Sequence, residues 1–184
     1  MENNLVAIGE GLGDYQGVSG PITFSIKLGD EEIEVDGFTY GVWQTVKRSL
    51  SSRSKLVNLY KQVAEPKKVY IAVEELVKKG MLIEWENQYD KTFFEQFALV
   101  PKGQAGKQRG NDQELISYPK TEPSVVPVAA YLIWLHAHPF LSCNTTLNAV
   151  REESGIDMNE LQKEFVSWIP ILVMYDVIAI VPVN

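Results

Sequence analysis

Residues 66–84, PKKVYIAVEELVKKGMLIE, decide how the chain is read. Val69, Ala72, Val73, Leu76 and Val77 recur at i, i+3, i+4, i+7 and i+8, which puts one apolar stripe on one face of a helix. Pro66 suits the first helical position, and Gly80 suits the position just past the end. With that stripe turned inward, Lys67, Lys68, Tyr70, Ile71, Glu74 and Lys78 point outward. Met81 to Trp85 then reads as a strand.

Upstream, Phe38, Val42, Val46 and Leu50 lie on one helical stripe with Trp43 beside it, and Ser49, Ser51 and Ser52 break it. Leu56, Leu59, Tyr60 and Val63 form a second stripe, and Ala64-Glu65 makes the turn into the third helix. Downstream, residues 87–91 read as a loop and residues 92–100 as a returning strand. Three helices followed by a hairpin resemble the winged helix-turn-helix superfamily over residues 38–100. The segment that carries the resemblance is the one quoted above, in which Leu76, Lys78, Lys79 and Gly80 end the third helix and lead into the wing. The resemblance implies an α+β winged helix-turn-helix fold whose third helix enters the major groove of DNA. It leaves function open, because many winged helices bind proteins instead.

Charge points the same way. The 184 residues carry a net charge of −7. Residues 37–83, however, hold nine lysines and arginines against three glutamates, a local net of +6. A basic stretch on such a scaffold is the electrostatic footprint of a polyanion ligand, and acidity elsewhere is screened from it.

The rest of the chain falls into three parts. Residues 1–36 read as a glycine-rich, flexible lead-in followed by an acidic β-hairpin. In that hairpin Ile22, Phe24, Ile26 and Leu28 alternate with polar residues, and Gly29-Asp30 makes the turn. A phosphate-binding loop is not supported at Gly9 to Gly20, because a strand and not a helix follows. Residues 37–100 are the winged-helix domain. Residues 101–113 have no apolar period and read as a flexible linker or an extended wing tip. Residues 114–184 repeat the plan loosely. Tyr40-x-x-Trp43 recurs as Tyr131-x-x-Trp134, the segment from Leu76 to Ile83 has a counterpart from Leu172 to Ala179, and Asp157 with Glu160 marks a capped helix start. A degenerate second winged helix over 124–184 is one reading of this half, and a helical dimerisation domain is the other. The apolar run Phe165 to Val183 is broken by Pro170 and Asp176, so it is expected to be a buried helix running into a strand and not a membrane span.

The candidate nucleic-acid contacts are Arg48, Arg53, Lys55, Lys67, Lys68, Tyr70, Lys78 and Lys91. The lysines and arginines would neutralise phosphates, and Tyr70 would meet a thymine methyl or a sugar. Lys102, Lys107 and Arg109 are further basic groups within reach of an adjacent minor groove. His136, His138 and Cys143 lack zinc-site spacing, so no metal is expected. No paired carboxylates or nucleophile motif point to an enzyme, and no cofactor is expected. A single cysteine fits a reducing compartment, and the N-terminus lacks a secretory pattern. The expectation is therefore a small cytoplasmic protein that binds double-stranded DNA, as a transcriptional regulator or a replication or plasmid-maintenance factor. Residues 114–184 would hold a protein partner or a second copy. The alternative is a tandem winged-helix adaptor that binds only proteins.

Overall fold

The computed structural model describes residues 3–16, 22–118 and 122–183. It is a mixed α+β structure with helices and small antiparallel sheets. The chain divides into two compact units, Met1–Glu86 and Asn87–Asn184.

The first unit begins with β1 (Asn4–Ala7), β2 (Glu10–Gln16), β3 (Ile22–Leu28) and β4 (Glu31–Val35). It continues through α1 (Gly37–Arg48), α2 (Arg53–Tyr60) and α3 (Pro66–Lys78) to β5 (Leu82–Trp85). The expected hairpin forms as β3 and β4, pairing Leu28 with Glu31 across Gly29-Asp30. The three expected helices form as well. Asp36 caps α1, Ser52 caps α2, Pro66 opens α3, and Gly80 follows α3 with φ of +72°. Val69, Ala72, Val73 and Leu76 are buried against Val42, Trp43, Val46 and Leu56 in one core.

The lead-in departs from expectation. Over its described residues it forms strands, because Leu5, Val6, Ala7 and Ile8 are all buried. Gly9 then turns the chain with φ of +86°, pressed on the Lys27 carbonyl where a Cβ would lie 2.4 Å away. Gly17, Gly20 and Pro21 lie outside the described residues.

The wing also departs from expectation. The partner of β5 is β1, with Leu5 opposite Glu84 and Ala7 opposite Leu82. Beyond β1, Leu5 also meets Ser51, its N–H donating to the Ser51 carbonyl at 2.7 Å. The place a returning strand would fill beside β5 is thus taken by the N-terminal strand. Residues 92–100 do not return to β5 but belong to the second unit.

That unit begins with α4 (Lys91–Glu95), whose first turn is capped by the Asp90 carboxylate accepting from Thr92 and Phe93 N–H. Next come β6 (Phe97–Pro101), β7 (Gln104–Arg109), β8 (Asp112–Ile116), β9 (Ser124–Pro127), α5 (Val128–His136), α6 (Cys143–Ser154), α7 (Met158–Met174) and β10 (Ile178–Pro182). The run expected as a linker over 101–113 is instead largely the β7–β8 hairpin, which turns at Gly110-Asn111. Its strand β7 is mostly exposed on both faces, so no apolar alternation marked it. Polar contacts hold it instead: the Glu114 carboxylate accepts from Lys107 N–H at 3.1 Å and from the Arg109 guanidinium, and Gln113 Nε2 donates to the Gly106 carbonyl. Those bonds, the Lys107 N–H first, hold the Glu114 carboxyl below the usual glutamate range.

From β6 onward the second unit runs through the same order of elements as the first. β6 pairs with β10 as β1 pairs with β5, and Ala98 bridges Ser142 as Leu5 bridges Ser51. Gly103, with φ of +73°, sits against the Ile116 carbonyl as Gly9 sits against that of Lys27. In each unit one tryptophan closes the design. Trp43 Nε1 donates to the Ile8 and Met81 carbonyls at 3.2 and 3.1 Å, and Trp134 Nε1 donates to those of Lys102 and Val177 at 3.1 and 3.0 Å. Tyr40 stacks on Trp43, and Tyr131 stacks on Trp134. No helix among the described residues is long and apolar enough to cross a membrane.

Candidate nucleic-acid interface

The face of α3 turned away from the core carries Lys67, Tyr70, Ile71, Glu74 and Lys78, all exposed. At about 100° per residue these five fall within one stripe about 100° wide, and Lys67 and Lys78 nearly eclipse each other three turns apart. Lys68 lies beside this stripe. Its ammonium sits 4.4 Å from the centre of the Phe38 ring, which ties the start of α3 to the start of α1.

Arg53 is the most constrained of the expected contacts. Its side chain is 20% exposed and joins the Glu74 carboxylate, and its Nε donates to Glu84 Oε1 at 2.8 Å. The guanidinium is shared between two carboxylates, so it only partly offsets the charge of Glu74 in the middle of the α3 stripe, and its own charge is already committed. Lys55 Nζ donates to the Leu50 carbonyl at 2.6 Å, closing the turn between α1 and α2. Arg48 is exposed in the last turn of α1. Lys79 pairs with Glu75 at 2.7 Å, and Lys47 lies 5.5 Å from the Trp43 ring centre.

Lys91 is not in a wing loop. It opens α4 in the second unit, 3.7 Å from Glu95. Lys102 lies 3.9 Å from Asp176, and Arg109 is held by Glu114. The structure thus brings Lys67, Tyr70 and Lys78 onto one face and gives Arg53 a bridging place beside it. Glu84, which anchors Arg53, was missed because it lies on β5, thirty-one residues from Arg53 along the chain.

Two apolar residues assigned to the second helical stripe are exposed instead. Leu59 is 55% and Val63 77% exposed, because α2 is only eight residues long and Leu56 alone of its residues is fully buried. They join Tyr70 and Ile71 as large apolar side chains exposed on the α2–α3 segment.

The histidines have structural partners. His136 Nε2 lies 2.6 Å from Glu153 Oε2 in the last turn of α5, and His138 Nδ1 accepts from the Phe140 N–H. Burial pushes the Cys143 thiol up to about 12, which leaves it protonated and unreactive at neutral pH. No group of three metal-ligating side chains occurs among the described residues.

Compared with known proteins, the chain matches no family model and no curated protein.

Proposed function

We propose that this is a DNA-binding protein, a transcriptional regulator or a replication or plasmid-maintenance factor acting inside the cell, with the outer stripe of α3 against the duplex. The observation that carries the reading is the exposed outer stripe of α3, which holds Lys67 and Lys78 at its two ends. Eleven residues of helix separate them by about 16 Å, a span that lets them meet phosphates on either side of a groove. Tyr70 and Ile71 lie between them as apolar contacts for sugars or thymine methyls. The local charge of +6 over residues 37–83 supports the same reading. We also read the two units as tandem copies of one winged-helix-like plan, in which β1 and β6 stand where a wing strand would return beside β5 and β10.

The full chain should be retained by a random duplex at low salt, and affinity should fall by about 0.9 log units per log unit of salt for each phosphate contacted. The double variant K67E/K78E should lower affinity about tenfold or more and flatten that slope by about two contacts. No retention of any duplex at low salt rejects DNA as the ligand.

A second reading is favoured by one specific observation. Leu59, Val63, Tyr70 and Ile71 are exposed on the α2–α3 segment, and apolar side chains of this size anchor protein interfaces. An adaptor that binds only proteins would lose its partner on Tyr70→Ala or Ile71→Ala and would be indifferent to salt.

A further inference from the structure

The second unit holds an open cleft of about 460 Å³ beside α7, with Asn87, Gln88, Asn159, Lys163 and Ser167 exposed along it. Four carboxamides line it, Asn87 and Gln88 from the segment before α4 and Asn159 and Gln162 from α7, together with Lys163 and Ser167. The five α7 residues, Val166 included, fall at i, i+3, i+4, i+7 and i+8, so they share one face of that helix. The buried side chain of Val166 and the ring of Tyr89 supply the apolar wall.

That wall is fixed from behind. The Tyr89 hydroxyl donates to Asn144 Oδ1, and Asn144 Nδ2 donates to the Lys91 carbonyl at 2.8 Å. The Tyr89 ring stacks on Phe94 with centres 5.1 Å apart and meets Phe165 edge-on at 6.4 Å. Burial pushes the Tyr89 phenol up to about 12, so its proton stays in place.

No described carboxylate lines the cavity. Glu164, on the same helix, accepts from Trp168 Nε1 at 3.1 Å. Lys163 is the one charged side chain among the described residues of the lining, so a ligand with one anionic group finds a direct partner there. Each carboxamide offers a donor and an acceptor side by side, the pattern that pairs with the edge of a nucleobase. The volume lies within the range of small-molecule sites.

We propose that this cleft binds a mononucleotide, with the base edge against Asn159 and Gln162 and the phosphate on Lys163. The proposal is independent of the reading of α3, since no α3 residue lines the cleft.

The test is a calorimetric titration of the full chain with AMP, GMP, CMP and UMP and with the matching nucleosides. At least one nucleotide should bind saturably with one-to-one stoichiometry. Lys163→Ala should weaken that nucleotide about tenfold while leaving its nucleoside within about twofold, because it removes only the phosphate contact. Asn159→Ala, at an exposed position, should weaken both, and Gln162→Ala should repeat that effect. K67E/K78E should change neither, which separates the cleft from any contact at α3. Thermal unfolding matched to the parent shows that the variants are folded. Absence of saturable binding through the millimolar range overturns the proposal. So does binding that Lys163→Ala and Asn159→Ala leave unchanged, or equal binding of glucose or maltose, which would make this a polyol site.

Discussion

The third helices of the two units occupy the same place in the order of elements and present opposite chemistry. In the first unit α3 turns outward a stripe of two lysines, a tyrosine, an isoleucine and one ion-paired glutamate. In the second, α7 turns Asn159, Gln162, Lys163 and Ser167 toward a cavity walled by Tyr89 and Val166. Behind these faces the supports agree: an indole bridging two carbonyls, a tyrosine stacked on it, and a glycine pressed against a strand carbonyl. The contrast separates the residues that make the fold from those that set the surface. It also places the differences in surface chemistry on helix faces that the shared frame leaves open.

The sharpest way to break the comparison is to remove the two indoles. Trp43 is 1% exposed, whereas Trp134 is half-buried. Trp43→Ala should cost about 3–5 kcal/mol, enough to unfold the first unit in mild denaturant. Trp134→Ala should cost less, because less surface returns to water. Hydrogen exchange of the full chain reads each unit separately. A Trp134→Ala loss equal to or above that of Trp43→Ala would mean that the carbonyl bridges, which the two indoles share, set the cost and not the buried surface.

Glycine substitutions sharpen the comparison with a smaller effect. At Gly103 a Cβ would lie 1.9 Å from the Ile116 carbonyl oxygen, and at Gly9 2.4 Å from that of Lys27, both at positive φ. Gly155, after α6, has φ of +67° but open space around it. Alanine at Gly155 should cost about 1 kcal/mol for backbone strain alone, and alanine at Gly9 or Gly103 about 2 kcal/mol or more. Urea midpoints that place all three together would show that the close approach is relieved without cost.

How much of this was legible in the sequence depended on whether a signal was local. α3 was legible because Val69 to Val77, Pro66 and Gly80 agree with one another inside fifteen residues. The recurrence of Tyr-x-x-Trp was legible as well, since each ring pair lies within one turn of one helix. The partner of β5 was not, because Leu5 and Glu84 meet across the whole first unit. The β7–β8 hairpin was hidden for the opposite reason. It is local, but its strand Gln104–Arg109 buries little, so the period that would have marked it is missing. Of the candidate site, the outward direction of Lys67, Tyr70 and Lys78 followed from the helical period. The fate of Arg53 did not, since it turns on Glu74 and Glu84, twenty-one and thirty-one residues away. The cleft beside α7 joins residues 87–89 to 159–167, a closure no window along the chain displays.

The smallest expected effect separates the starts of α1 and α5. The Asp36 carboxylate accepts from Phe38 N–H at 2.8 Å, from Thr39 N–H at 3.1 Å and from the Thr39 hydroxyl at 2.7 Å. Its counterpart before α5 is Pro127, which offers no side-chain cap. Asp36→Ala should therefore cost about 1 kcal/mol at neutral pH. Burial alone would raise the Asp36 pKa, but the Thr39 hydroxyl, the two backbone N–H groups and the charge of Lys68 outweigh it and hold the carboxyl below its ordinary value of 3.8. A depressed folded-state pKa means that the contribution is complete above the ordinary value and is lost as pH falls through the lowered one. The stability gap between parent and Asp36→Ala should stay constant from neutral pH down to mildly acidic pH and close only in strong acid. A gap that began to close near neutral pH would assign the effect to some group other than this carboxylate. A gap absent at every pH would show that Thr39 and Lys68 hold the start of α1 without it.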